Sequence, residues 1–339
     1  MNNTLSSPSK ARHCPEVHAS AFSRVLVCLD RSVASASCLP YARFVAEAFG
    51  ANVTLLHVMP SPQNLHEPQR PDALEWELAK READLYLEHA RDTLGVVLGR
   101  AVVKLTQGSP ADQIVVAARD TGAELTIIAR RGEGGGGRSN LGSIVMHVLE
   151  MASGSVLIAE PSGSARIPPQ CIMVALDGSL RSECILPVVA TLAQCHGAEV
   201  LLVHVVAEPV LSALFSDPDD VRIALDLASR METRAAVYLK EMRTRLPQIR
   251  VVRTLVVRRG EAHQALLDVA LEQAADVVVL TAHGLTCNAE RVFGSVASYL
   301  LSHAQLPLFV FQDMPRAAPE TTRSQSNHAA LSTRPLEGE

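Results

Sequence analysis

Apolar residues recur along the chain in two alternating rhythms. Short aliphatic runs read as buried strands: 24–29 (RVLVCL), 52–59, 101–106, 125–129 and 155–160. Between them apolar residues fall at steps of three and four, the period of a helix with one buried face. A first helix is expected from a Ser32 cap to about Phe49, where Gly50 stops it. Pro40 lies inside that stretch and predicts a kink or a shortening. A long helix is predicted over 71–98, with Trp76, Ala79, Ala83, Leu87, Ala90 and Leu94 on one face. Gly108-Ser109-Pro110 turns the chain into a helix over 111–121. After the fourth strand comes a glycine-rich segment, then a helix pattern through Ile144, Val145, Val148, Leu149 and Ala152.

The pattern then restarts. Strands are predicted at 171–176, 200–206, 250–257, 276–281 and 306–311. A second long helix is predicted over 219–246, with Leu227, Met231, Ala235, Met242 and Leu246 on one face. Asp30, Pro40, Gly50 and His57 recur as Asp177, Pro187, Gly197 and His204, an offset of 147. Gly108, Gly132, Gly142 and Ser143 recur as Gly260, Gly284, Gly294 and Ser295, an offset of 152. A small insertion in the long-helix connection of the second half accounts for the change. Matching prolines inside matching helices make this an internal duplication. The expected layout is a mobile tail over 1–22, a first domain over 23–160, a linker over 161–170 (PSGSARIPPQ), a second domain over 171–313 and a second tail over 314–339. Five alternations of strand and helix per half predict an α/β fold, two tandem doubly wound domains each with a five-stranded parallel sheet.

Composition removes several classes. The chain has 339 residues, room for two domains, and 47% apolar residues with only 4% aromatics, so the cores must be aliphatic. The net charge is −5 and no basic stripe is present, which argues against nucleic acid as a partner. No apolar run reaches the roughly 18 residues a membrane helix needs, and the first twenty residues lack the apolar core of a signal peptide. Seven scattered cysteines without a C-x-x-C pair fit a reducing cytoplasm, and no Cys/His spacing suits a metal.

The candidate chemistry lies in two loops of the form G-x9-G-S, Gly132 to Gly142-Ser143 and Gly284 to Gly294-Ser295. Strand, glycine loop and helix start suit a phosphate. The first glycine would leave the strand at positive φ, the last would permit close approach, and the serine and first helix amides would donate. Arg138 and Arg291 are candidate counter-charges. Gly132 to Ser139 also approaches a Walker A loop, but Arg138 replaces the lysine and the second copy keeps no such motif. Asp30 and Asp177 end their first strands, as ligand carboxylates or as caps on the following turn. If the first strand lies beside the fourth, each aspartate meets its glycine loop at the edge where strand order reverses. His57 and His204 read as satisfied core histidines. His283, just before the second loop, is a better site candidate, although its counterpart is Arg131. No nucleophile-base-orienter set is common to both halves, so no catalytic residue is assigned.

With these motifs in view, each half resembles a universal stress protein domain. That family's pattern is G-x2-G-x9-G-S/T, which here reads Ala129-x2-Gly132-x9-Gly142-Ser143 and Thr281-x2-Gly284-x9-Gly294-Ser295. The resemblance implies strand order 3-2-1-4-5 and pairing through the fifth strands, so that the two halves form an internal dimer. It also implies ATP binding, with Mg where the nucleotide brings it. Asp30 and Asp177 would then contact adenine, with backbone groups of Val58 and Val205 beside it. The expected function is a cytoplasmic, stress-associated regulator that binds adenine nucleotide in one or both halves, with at most slow hydrolysis. An unknown protein partner is implied, and further homodimerisation is left open. The alternative is a nucleotide-free scaffold acting through its surface. A third reading, an adenylyl-transferring enzyme, would need an S-G-G-x-D-S loop where this chain has Leu29-Asp30-Arg31-Ser32 and Leu176-Asp177-Gly178-Ser179.

Overall fold

The computed structural model describes residues 21–61, 72–95, 101–132, 141–161, 166–206, 218–258, 260–284 and 292–312. The first half supplies β1 (Arg24–Leu29), β2 (Asn52–Met59), β3 (Ala101–Gln107), β4 (Leu125–Ala129) and β5 (Ser155–Ala159). The second supplies β6 (Cys171–Ala175), β7 (Glu199–Val206), β8 (Val252–Arg258), β9 (Val277–Thr281) and β10 (Leu308–Phe311). Together they build a ten-stranded sheet in the order β3-β2-β1-β4-β5-β10-β9-β6-β7-β8. Each half therefore has the expected 3-2-1-4-5 order, and the halves join through their fifth strands. That join is the antiparallel step, with Phe309 opposite Leu157. The strands of each half run parallel.

Helices cover both faces, as strands buried on both sides require. On one face lie α2 (Cys38–Phe49), α3 (Ala73–Leu94), α7 (Leu186–His196) and α8 (Pro218–Thr244). On the other lie α4 (Pro110–Thr121), α5 (Ser143–Met151), α9 (Ala262–Glu272) and α10 (Ser295–His303). Both apolar layers run through residues of both halves, so the core is continuous across the join. Phe22 packs there against Phe309, ring centroids 5.6 Å apart.

The prolines act by shortening. A single turn, α1 (Val33–Ala36), is capped by the Ser32 side chain, and α2 starts afresh two residues later with Pro40 in its first turn. The second half repeats this with α6 (Leu180–Glu183) and Pro187 in α7. Near its start a helix has no internal partner for the proline nitrogen to lose, so the break relieves it.

One expected face is corrected. α8 buries Ala228, Ala235, Leu239 and Met242, followed by Leu246 just beyond its end, whereas Leu227 is 52% exposed and Met231 40%. Successive steps of four overrun a 3.6-residue turn by about 40° each, so a line through 227, 231 and 235 drifts off the buried face. α3 keeps its predicted face at Ala83, Leu87, Ala90 and Leu94.

At the strands' N-terminal edge, one carboxylate per half gathers the chain. Glu124 accepts from the Arg24 amide at 2.7 Å and from the Ser23 hydroxyl. Asp276, buried, accepts from the amides of Arg166, Gln170 and Cys171 at 3.2, 2.8 and 2.9 Å. The segment linking the halves is thus fastened to the second.

Candidate functional site

The C-terminal edge carries the predicted site residues. β1 lies between β2 and β4, so Asp30, Val58 and Gly132 emerge side by side. β6, β7 and β9 bring Asp177, Val205 and Gly284 together in the same way.

Each aspartate splits its work between its two oxygens. Oδ1 of Asp30 accepts from the Ser32 amide at 3.0 Å and from the Ser32 hydroxyl. Oδ1 of Asp177 accepts from the Ser179 amide at 2.9 Å. This is the local turn anticipated as the alternative to a site role. Oδ2 instead faces the glycine loop. A Cβ on Gly132 would lie 2.3 Å from Asp30 Oδ2, and a Cβ on Gly284 2.4 Å from Asp177 Oδ2. Both carboxylates therefore press on the first loop glycine.

That contact corrects the reason expected for those glycines. Neither Gly132 nor Gly284 has positive φ. What each position needs is the missing side chain. The left-handed position lies instead just after the aspartate, at Arg31 (φ 70°) and Gly178 (φ 84°).

The loop stems close in the same manner twice. The Gly142 amide donates to the Arg130 carbonyl at 3.1 Å, and the Gly294 amide to the Ala282 carbonyl at 2.9 Å. Ser143 and Ser295 then open α5 and α10, both exposed, and neither helix has a side-chain cap on its first amides. Two uncapped helix starts, each at a closed glycine loop, offer amide donors and a positive helix end to an anion. Ala129 and Thr281 are buried, and the Thr281 hydroxyl donates to the His283 carbonyl at 2.8 Å. His283 is half-buried at the second stem. Arg138 and Arg291 lie outside the described residues.

The core histidines are satisfied, and they support the aspartates. His57 Nδ1 sits 2.7 Å from the Leu29 carbonyl and His204 Nδ1 2.8 Å from the Leu176 carbonyl, each just ahead of its aspartate. Over them stand Tyr86 and Tyr238, edge-on with ring centroids 6.2 and 5.7 Å away. The sequence reading missed these tyrosines, although their spacing of 152 repeats that of the loops. Their hydroxyls are buried and make no well-formed hydrogen bond among the described residues. Burial pushes both phenols up, with Ser35 and Ser182 beside them pulling the other way. Thr106, opposite Val58 on β3, likewise has a buried hydroxyl without a partner there.

Arg130 was missed too. Its side chain is buried against Glu160 and reaches the Leu301 and Leu306 carbonyls of the second half. Burial, with Arg131 nearby, pushes its guanidinium down to about 10, so it stays charged at neutral pH. Among the described residues, no cluster of His, Cys, Asp or Glu could hold a metal, and no helix is long and apolar enough to cross a membrane.

The fold and these edges define a class: a tandem α/β protein with a glycine loop and a carboxylate at the switch point of each half. The Universal stress protein family matches residues 21–160 and again 170–312. The chain belongs to that family. A universal stress protein of Mycolicibacterium smegmatis is 27% identical over 300 residues, covering 84% of this chain and 96% of that protein. A universal stress protein from Archaeoglobus fulgidus is similar in structure, with TM-score 0.59, 18% identity, 86% of this chain covered and 99% of the other. A protein of unknown function from Pseudomonas aeruginosa has TM-score 0.60 at 15% identity, covering 87% of this chain and 94% of its own. At those identities the two structures speak for the fold.

Proposed function

We propose that this chain is a stress-associated regulatory protein that binds adenine nucleotide, ATP with its Mg, in one or both halves. The observation that carries the reading is the doubled contact of a strand-end carboxylate with a glycine loop that closes onto an uncapped helix start. Amides of the loop stems at Gly132, Gly142, Gly284 and Gly294, with the Ser143 and Ser295 hydroxyls, would take the phosphates. Asp30 and Asp177, with the backbone of Val58 and Val205, would take the base. Ala129, Thr281 and His283 shape the stems, while Arg138 and Arg291 would supply counter-charge. Hydrolysis would be slow at most, and the output would be a change in loop order that alters the binding of a protein partner.

Calorimetric titration of the full chain with Mg-ATP tests this. Saturable heat is expected, with one site lost in Asp30→Ala and the other in Asp177→Ala. No heat from the unmodified chain, or heat indifferent to both substitutions, overturns it. A narrower reading, in which the second half acts only as a scaffold, is favoured by the Thr281 hydroxyl tying that stem to itself. A stoichiometry of one, insensitive to Asp177→Ala, would select it.

A further inference from the structure

We propose that Arg130 is a positioning residue for the stem of the first glycine loop, at Gly142, and that it sets that stem by gripping the second half of the chain. The inference rests on the nucleotide-binding reading above. The backbone of Arg130 belongs to the first site: its amide donates to the Ala159 carbonyl at 3.0 Å, and its carbonyl receives the Gly142 amide that closes the loop. Its side chain belongs to the join. The guanidinium pairs with Glu160, just past the end of β5, and donates to the Leu301 carbonyl at 2.8 Å and the Leu306 carbonyl at 3.4 Å. Leu301 lies in the last turn of α10, where carbonyls have no helical partner and a cation is favoured. Arg130 therefore caps a helix of the other half, and that helix begins at Ser295, on the second glycine loop.

The device is one-sided. The offset of 152 places Ala282 and Gln312 where the first half has Arg130 and Glu160. Ala282 closes the second loop through its carbonyl but has no side chain that could reach across. The second stem is steadied within its own half, by Thr281 on His283. A buried guanidinium with fixed partners has few other places to go, because removing any partner strands a charge out of water. The position of the Arg130 carbonyl, and with it the entry of α5 at Gly142, is thus set from across the join. Arg130 touches no ligand in this scheme and acts through the Gly142 stem.

The test uses full-length chain carrying Asp177→Ala, so that Mg-ATP reports the first site, with affinity measured by calorimetry well below the unfolding temperature. Arg130→Met is expected to weaken binding on the order of tenfold, within the usual range for coupling between sites. Glu160→Gln should weaken it in the same direction, and Arg130→Lys should recover part of the loss. Affinities within twofold of the parent for both Arg130→Met and Glu160→Gln, whatever their melting temperatures, would make Arg130 purely structural and overturn the proposal. If the Asp177→Ala parent gives no heat while the unmodified chain does, the first half has no site and the proposal falls with it. If the unmodified chain gives none, the nucleotide reading itself has failed.

Discussion

Gly132→Ala is a small change with a large expected effect. The added methyl would sit 2.3 Å from Asp30 Oδ2 and 3.5 Å from Asp30 Cγ. An oxygen cannot tolerate that approach, so the carboxylate must turn. It is held at the other oxygen by the Ser32 amide and hydroxyl. Turning surrenders at least one hydrogen bond to a charged group, worth about 1.5–3 kcal/mol. The expected loss of stability is therefore about 2 kcal/mol, measured by urea unfolding at 25 °C. Gly294→Ala is the control: its nearest neighbour would be an ordinary 3.6 Å away, and only the poorer helix start remains, under about 1 kcal/mol. The decisive measurement is a double-mutant cycle with Asp30→Ala. Without the carboxylate there is nothing to strike, so the two substitutions should interact by about 2 kcal/mol. Costs that simply add, or a Gly132→Ala protein as stable as the parent, would refute the argument.

Other consequences can be checked in parallel. Asp276→Ala removes the acceptor for three amides around the linking segment and should cost about 3 kcal/mol in urea unfolding, more than Leu227→Ala on the exposed side of α8. Gly178→Val forces a β-branched residue to φ 84° and should cost about 1–2 kcal/mol; the melting temperature should fall accordingly. Cys195 is exposed, and its thiol is pushed up by desolvation and by Glu47. With Cys14 and Cys287 replaced by serine, labelling should be confined to Cys195 and should rise only above the usual thiol range, moving to lower pH in Glu47→Gln. Cys28 and Cys38, whose thiols burial pushes further up, should label only on unfolding.

The architecture could be read from the chain because it rests on short-range patterns that occur twice. Strand runs, glycine stops and paired prolines each fix a local conformation, and the repeat checks every one. The strand order and the fifth-strand join came from the family resemblance and are present as expected. What could not be read is whatever depends on contact across the sheet. Leu227 and Met231 look like core residues until the turn angle is followed into the helix. Gly132 looks like a turn glycine because its true constraint, a carboxylate about a hundred residues away, leaves no local mark. Arg130 looks like a loop cation because nothing near it in sequence announces Leu301 or Glu160. Tyr86 and Tyr238 were legible in principle, since their spacing repeats, but aromatic residues on long helices read first as packing.

The antiparallel step between β5 and β10 has a consequence for how such a protein can diverge. Two separate copies meeting across a two-fold axis must present identical residues, so a charge placed on one side of the join appears on the other as well. Tethering both halves in one chain lifts that constraint, and the contact no longer thins out on dilution because its partner is always at hand. Arg130 and Glu160 facing a second half with Ala282 and Gln312 is what that freedom permits. The covalent link thus allows the two glycine-loop edges to become unequal, one tied to its neighbour and the other not, without any change in the sheet that unites them.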